Sequence, residues 1–282
     1  MELERPTDAA DFLAAAGEFL TEREAEHNVI LGLCSRLRES PDAYGDENPY
    51  FLVASHRGRV VAAALRTPPH SLLLSESEDE RATEAICAAA LEAFPALPGV
   101  VGPAAVAKRF ADAWSARTGA RARVAIAQRL YRADAVTAPP RVPGVLRPYT
   151  AADEETAVRW LDAFAAEALG GEAAEDAREF LKRRLEDPDA GLVLWEDERP
   201  VSLAGYAGPT PSGIRVAPVY TPPELRRRGY ATALVAELTQ MLLSGGRRFC
   251  FLFTDRGNPT SNSIYQQVGY EPVADVDLWR FG

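Results

Sequence analysis

Apolar positions along the chain follow two rhythms, a period of two that predicts strands and a period near 3.6 that predicts helices. Apolar residues on either side of a polar turn predict two hairpins, Phe51 to Ala62 and Gly191 to Ser202. Short apolar runs predict strands at 71–74, 99–102, 214–219 and 249–253, and strict alternation predicts others at 123–131 and 276–281. Helical spacing predicts helices over 81–94, 103–118, 153–169, 172–185, 231–243 and 260–268. Gly119, Gly170-Gly171, Gly245-Gly246 and Gly269 act as stops, because a helix commonly ends on a residue of left-handed conformation that glycine adopts without strain. Strands and helices that alternate in this way imply an α/β fold, a mixed sheet covered by helices.

The pattern occurs twice. Arg5-Pro6-Thr7-Asp8-Ala9-Ala10-Asp11 recurs as Arg147-Pro148-Tyr149-Thr150-Ala151-Ala152-Asp153, and the two hairpins line up at nearly the same offset. Two copies of one fold are therefore expected. Between them Ala135–Gly144 carries three prolines and a glycine without periodicity, a stiff connector that sets domains at 1–134 and 145–282.

A chain of 282 residues with 47% hydrophobic and 26% charged residues suits two globular cores. Its formal charge of −10 argues against a nucleic-acid or anionic-membrane partner and favours a cationic one. Cys34, Cys87 and Cys250 are far apart in apolar surroundings, as reduced core residues are. The acidic start has no basic stretch followed by an apolar one, and no apolar run reaches membrane-spanning length, so a cytoplasmic protein is expected. His27, His56 and His70 have no metal-ligand spacing, and no metal is expected. Lys182-Arg183-Arg184 reads as a complement to a helix dipole.

Candidate chemistry concentrates between Ile214 and Val235. A strand breaks at Pro222-Pro223, passes Arg226-Arg227-Arg228-Gly229, and enters a helix at Tyr230-Ala231-Thr232. A helix start carries unpaired N–H groups and about half a positive charge, so it binds anions, and small residues there let a phosphate approach the backbone. A pyrophosphate fits this loop. The alternative is an ordinary helix start with a solvated basic turn. At the equivalent place the first copy has Ser75-Glu76-Ser77-Glu78-Asp79-Glu80, carboxylates that cap a helix and repel a phosphate.

Arg226, Gly229 and Ala231 fit R/Q-x-x-G-x-G/A, and Asn258, Ser261, Tyr265, Gly269 and Tyr270 fit N-x-x-S-x-x-x-Y-x-x-x-G-F/Y. In both motifs the chain resembles the GNAT superfamily of acyl-CoA-dependent N-acyltransferases, specifically over about residues 190–281. The resemblance implies two tandem GNAT-like domains, each a mixed, mostly antiparallel sheet flanked by helices, the first degenerate and the second catalytic. It implies acetyl-CoA as cosubstrate, bound by Val219, Tyr220, Thr221, Arg226, Arg227, Arg228, Gly229, Tyr230, Ala231, Thr232, Asn258, Ser261 and Tyr265. Tyr265 would also be the proton donor to the departing thiolate, and Glu167 a candidate for binding or deprotonating the amine. Each has a structural alternative: core packing for Val219 and Tyr265, capping for Asn258, a solvated helix position for Glu167. The implied activity is acetyl transfer to a primary amine of a small, cationic molecule by direct attack in a ternary complex, in a monomer or homodimer. A non-catalytic acyl-CoA sensor is the alternative, and an aminoacyl-transfer enzyme is disfavoured by the acidic balance and the intact loop.

Overall fold

The computed structural model describes residues 1–45, 47–168 and 176–282. In the first half of the chain the elements are β1 (Glu2–Glu4), α1 (Ala9–Glu22), α2 (Asn28–Glu39), β2 (Tyr50–His56), β3 (Arg59–Arg66), β4 (Leu72–Leu74), α3 (Glu80–Ala93), β5 (Gly99–Pro103), α4 (Ala104–Thr118) and β6 (Ala122–Ala133). The second half continues with β7 (Val145–Pro148), α5 (Glu154–Ala168), α6 (Ala177–Glu186), β8 (Gly191–Asp197), β9 (Arg199–Ala207), β10 (Gly213–Tyr220), α7 (Tyr230–Ser244), β11 (Phe249–Asp255), α8 (Pro259–Val268) and β12 (Glu271–Phe281). The expected end of the helix at Leu169, the Gly170-Gly171 break and the expected helix start at Glu172 lie outside the described residues.

The chain divides into two compact units, Met1–Arg129 with Ala274–Gly282, and Leu130–Val273. In the first unit the sheet runs β1-β2-β3-β4-β5-β12, and in the second β7-β8-β9-β10-β11. Every pair is antiparallel except β4 with β5 and β10 with β11, which occupy the same place in each order. The hairpins repeat even their irregularities. Each has a register shift, at Ala54/Ser55 and at Trp195/Glu196, and a non-glycine turn residue of positive φ, Arg57 at 51° and Glu198 at 59°. Two copies of one α/β fold are what the sequence duplication implied.

Each sheet is buried on both faces, as the alternation of its strands requires. In the first unit Phe51, Val53, Ala63 and Leu65 pack under α1 and α2, while Leu52, Ala54, Ala62 and Ala64 pack under α3 and α4. In the second, Leu192, Leu194 and Leu203 face α5 and α6, while Val193, Val201 and Ala204 face α7.

The unit borders differ from the connector read in the sequence. Ala135–Gly144 belongs to the second unit: Val136 and Val142 pack against its core and Trp195 Nε1 donates to Pro143 O at 2.9 Å. Most of β12 belongs to the first unit, pairing with β5 from Val276–Pro103 to Arg280–Gly99. A border set by packing follows strand pairing, which a proline-rich composition does not report.

Candidate active site

β10 pairs with β11 at its N-terminal end only, Gly213 with Phe249 through Arg215 with Phe251. From Val216 to Tyr220 it runs on against β9, and between Val216 and Val219 it carries one more residue than β9 does between Tyr206 and Ala204, a β-bulge. A Cβ on Gly205, opposite the bulge, would lie 2.9 Å from Ala217 O, so only glycine fits there. Beyond the bulge, Ser202 Oγ donates to Tyr220 O at 3.0 Å and lies 2.8 Å from Thr221 Oγ1.

The chain then turns through Pro223–Leu225 to Arg226, and Arg227 and Gly229 both adopt left-handed conformations, φ 64° and 83°. Gly229 is the N-cap of α7 and supplies no capping side chain. Among the described residues, the N–H groups from Arg227 to Thr232 meet no protein acceptor in hydrogen-bonding geometry; the first bond of the helix is Ala233 N–H to Gly229 O at 3.0 Å. Successive free amides after left-handed residues form a concavity for an anion, with the helix dipole behind it. Gly229 is also sterically required, since a Cβ there would meet Val142 Cγ1 at 2.8 Å.

The three arginines have different surroundings. Arg226 is anchored: Nε donates to Thr221 O at 2.8 Å, Nη2 donates to both oxygens of Glu167 at 2.9 and 2.8 Å, and the guanidinium lies 5.7 Å from the Tyr220 ring centre. Arg228 Nη2 reaches Glu224 O at 3.3 Å. Arg227 is exposed and meets no protein partner among the described residues. Glu167, read in the sequence as an amine-binding or basic group, thus has both oxygens on one guanidinium. The pair is about half exposed, of a kind worth about 1 kcal/mol or less.

Other sequence candidates also have structural partners. Tyr230 is buried and its hydroxyl donates to Asp197 at 2.6 Å, which with burial raises its pKa, against a smaller opposing effect of Arg228. Asn258 is the N-cap of α8, its side chain accepting from Ser261 N at 3.0 Å. Tyr220 is buried beside Trp160, ring centres 6.3 Å apart, and burial first, then the Glu167 charge, raises its pKa. Val219 packs against the core, Thr232 is buried in the first turn of α7, and Ala231 precedes it.

Tyr265, on α8, lies between Tyr131 and Tyr270 with ring centres 6.4 and 6.1 Å away. Burial pushes its hydroxyl up to about 12. Tyr131, which sequence reading left as a strand residue, donates to Asn262 Oδ1 at 2.8 Å; Asn262 Nδ2 in turn holds Asn258 O at 2.7 Å and Asp255 O at 3.0 Å. That network fixes the start of α8 and hence the Tyr265 ring. Cys250 is fully buried and its thiol is pushed up to about 12 by burial, a core residue without nucleophilic character.

Residues 157–270 match the model of the acetyltransferase (GNAT) family. Among solved structures, 99% of the chain aligns with 98% of a Drosophila protein at a TM-score of 0.68 and 12% identity. Likewise 99% aligns with 95% of a GCN5-related N-acetyltransferase from Sphaerobacter thermophilus (TM-score 0.59, 19% identity), and 100% with 98% of a tandem GNAT protein from the clavulanic acid biosynthesis pathway (0.54, 15%). The full-length alignments show the fold, two GNAT-like copies in tandem. No curated protein matches it. The second GNAT-like domain holds the family match, and the family supports acyl-CoA-dependent acetyl transfer with acetyl-CoA as cosubstrate. Among the described residues no helix is long and apolar enough to cross a membrane, and no cluster of three or more potential ligands could hold a metal.

Proposed function

We propose that the second GNAT-like domain is an N-acetyltransferase that moves an acetyl group from acetyl-CoA to a primary amine of a small, cationic molecule, while the first binds no CoA. The observation that carries this reading is the start of α7, whose amides from Arg227 to Thr232 have no protein acceptor among the described residues. A diphosphate fits that donor set, and Arg227 and Arg228 add charge beside it. When bound, acetyl-CoA supplies a thioester carbonyl for the amine to attack and a thiolate that leaves.

The chain's own residues then divide the work. Among the backbone N–H groups of Val219, Tyr220 and Thr221, where β10 and the turn after it run beyond β11, those turned away from β9 are the donors for charge developing on the carbonyl oxygen. Tyr265 hydrogen-bonds the sulfur. With its hydroxyl at about 12, complete proton transfer to a thiolate near 8.5 would be uphill by about 5 kcal/mol, so it stabilises by donating without giving up the proton. Glu167 can hold the acceptor's ammonium by exchanging it for Arg226. Asn258 and Ser261 order the turn before α8.

The pairing of Glu167 with Arg226 favours a second reading, a domain that binds acyl-CoA without turning it over, because both oxygens of the carboxylate nominated as a base are engaged by a guanidinium. Thiol release from acetyl-CoA over a panel of polyamines and other cationic amines separates the two. Tyr265→Phe should lower kcat by about 10- to 100-fold with acetyl-CoA affinity within about twofold. Binding without release by any amine selects the sensor.

A further inference from the structure

Three carbonyls of β10 and the turn after it are held by side chains. Ser202 holds Tyr220 O, Arg226 holds Thr221 O, and Arg184 Nη1 donates to Ala217 O at 3.1 Å. Arg184 differs from the others in what it spans. It comes from α6, and the same nitrogen also donates to Tyr206 O at 2.8 Å, on β9. Val216 pairs with Tyr206 immediately before the bulge, and Ala217 is the first residue within it. One guanidinium nitrogen therefore ties the two strands together where their own ladder is interrupted.

The bulge needs such a tie. A bulged residue loses its place in the ladder, and a carbonyl left there without a donor is costly unless another group supplies one. The next residue, Pro218, has no N–H, so Val219 provides the first amide after the bulge. How the Ala217 carbonyl is held then sets the peptide planes leading to Val219 and Tyr220. Arg184 is itself oriented by Phe180, whose ring centre lies 4.8 Å from the guanidinium, and Phe180 packs on the core shared by α5 and α6.

We infer that Arg184 is a positioning residue for acyl transfer: by holding the Ala217 and Tyr206 carbonyls it fixes the bulge and so aims the amides of Val219 and Tyr220. This rests on the reading of those amides as donors to the thioester. The dipole complement expected of Lys182-Arg183-Arg184 is thus a lesser part of what Arg184 does.

The test uses the full chain with Arg184→Met and Arg184→Lys. Hydrogen exchange in the ligand-free protein should be roughly tenfold faster in Arg184→Met at the amides that pair β9 with β10 on either side of the bulge, within Ala204–Tyr206 and Val216–Tyr220, with α7 unchanged. Arg184→Lys, which keeps a charge and a donor, should fall between. In turnover, Arg184→Met should lose about 10- to 100-fold in kcat with acetyl-CoA affinity within about twofold, and added guanidinium should restore part of the loss. Exchange at these ladder amides equal to wild type in both variants overturns the inference, as does a loss of affinity parallel to the loss of kcat. If wild type binds acetyl-CoA but acetylates nothing, the acetyltransferase reading falls and exchange alone decides the role of Arg184. If wild type turns over and Arg184→Met is equally fast, only this inference falls. Should Arg184→Met fail to fold, Arg184→Lys decides by the same exchange measurement.

Discussion

At the start of α3 in the first unit, Asp79 accepts from the Arg81 N–H at 3.0 Å and from the Arg81 guanidinium at 3.0 and 2.8 Å. The loop before it is equally occupied: Ser75 N–H goes to Ala63 O, Glu76 N–H to His27 Nε2, and Ser77 N–H to Glu76 Oε1. At the start of α7 in the second unit, Gly229 brings no side chain and the amides of the loop are left over. An ion pair joins the C-terminal end of the first helix of each unit to this loop with its signs exchanged, Arg23 after α1 to Glu78 in the first and Glu167 of α5 to Arg226 in the second. One fold thus carries a helix start capped by its own acid and another whose amides meet no protein acceptor among the described residues. The difference teaches that space is a poor guide to the ligand. A cleft of about 800 Å³ lies in the first unit, yet Glu18, Glu22, Glu76, Glu78 and Asp79 line it, and they repel a diphosphate.

The comparison can be broken most severely by removing Ala274–Gly282. The first unit would lose the pairing of β12 with β5, the stacking of Phe281 on Trp114 at 5.7 Å and the bond from Arg280 to Ser71 at 2.8 Å. A cost of about 5 kcal/mol is expected, enough to unfold that unit while hydrogen exchange in β8 and β9 stays slow. Equal loss of protection in both units would show that they do not differ in this way.

A pH series sharpens it. His27 is buried with Nδ1 on Leu20 O and Nε2 accepting from Glu76 N–H, an arrangement of the neutral ring, and burial lowers its pKa despite Glu26 and Glu76 nearby. A group that titrates lower in the folded state takes up its proton first on unfolding, so the first unit should lose stability as pH falls below 6.5. In the second unit the Arg147 guanidinium, with Thr150, holds the buried Asp153 carboxyl at about 2. Its contribution, about 2 kcal/mol, is present above 3.8 and lost as pH falls through 2. Exchange followed for each unit from pH 7.5 to 5 should therefore weaken only the first, and His27→Gln should flatten its slope. The smallest effect is that of Asp79→Ala, which removes the cap of α3. The melting temperature of the first unit should fall by a few degrees and acetyl-CoA binding should not change; a gain of a second binding event would mean that acid alone closes that helix start.

Much of this could be read from the residues, because it depends on local pattern. The helices ending at Gly119 and Gly269 and the strand at 249–253 fall within two residues of their expected bounds, and both hairpins form where expected, their second strands running four and five residues further, to Arg66 and Ala207. β1 could not be read, since its three residues are all exposed and make their pairs through backbone alone. The helix α2 and the edge strand β7 were likewise missed. The rest is tertiary. Glu167 and Arg226 are 59 residues apart, Tyr131 and Asn262 are 131 apart, and Arg184 reaches across to a bulge that no periodicity reveals. Sequence could nominate Tyr265 by its motif; the ring contacts around it and the burial that raises its pKa come only with the fold.

Calorimetric titration of acetyl-CoA into the full chain tests the open helix start most directly. One molecule should bind per chain, Arg227→Glu should weaken it by about 100-fold or more, and Glu78→Gln should leave it unchanged. Binding that survives Arg227→Glu, or that responds instead to charges between Ser75 and Glu80, would contradict the assignment of the nucleotide to α7.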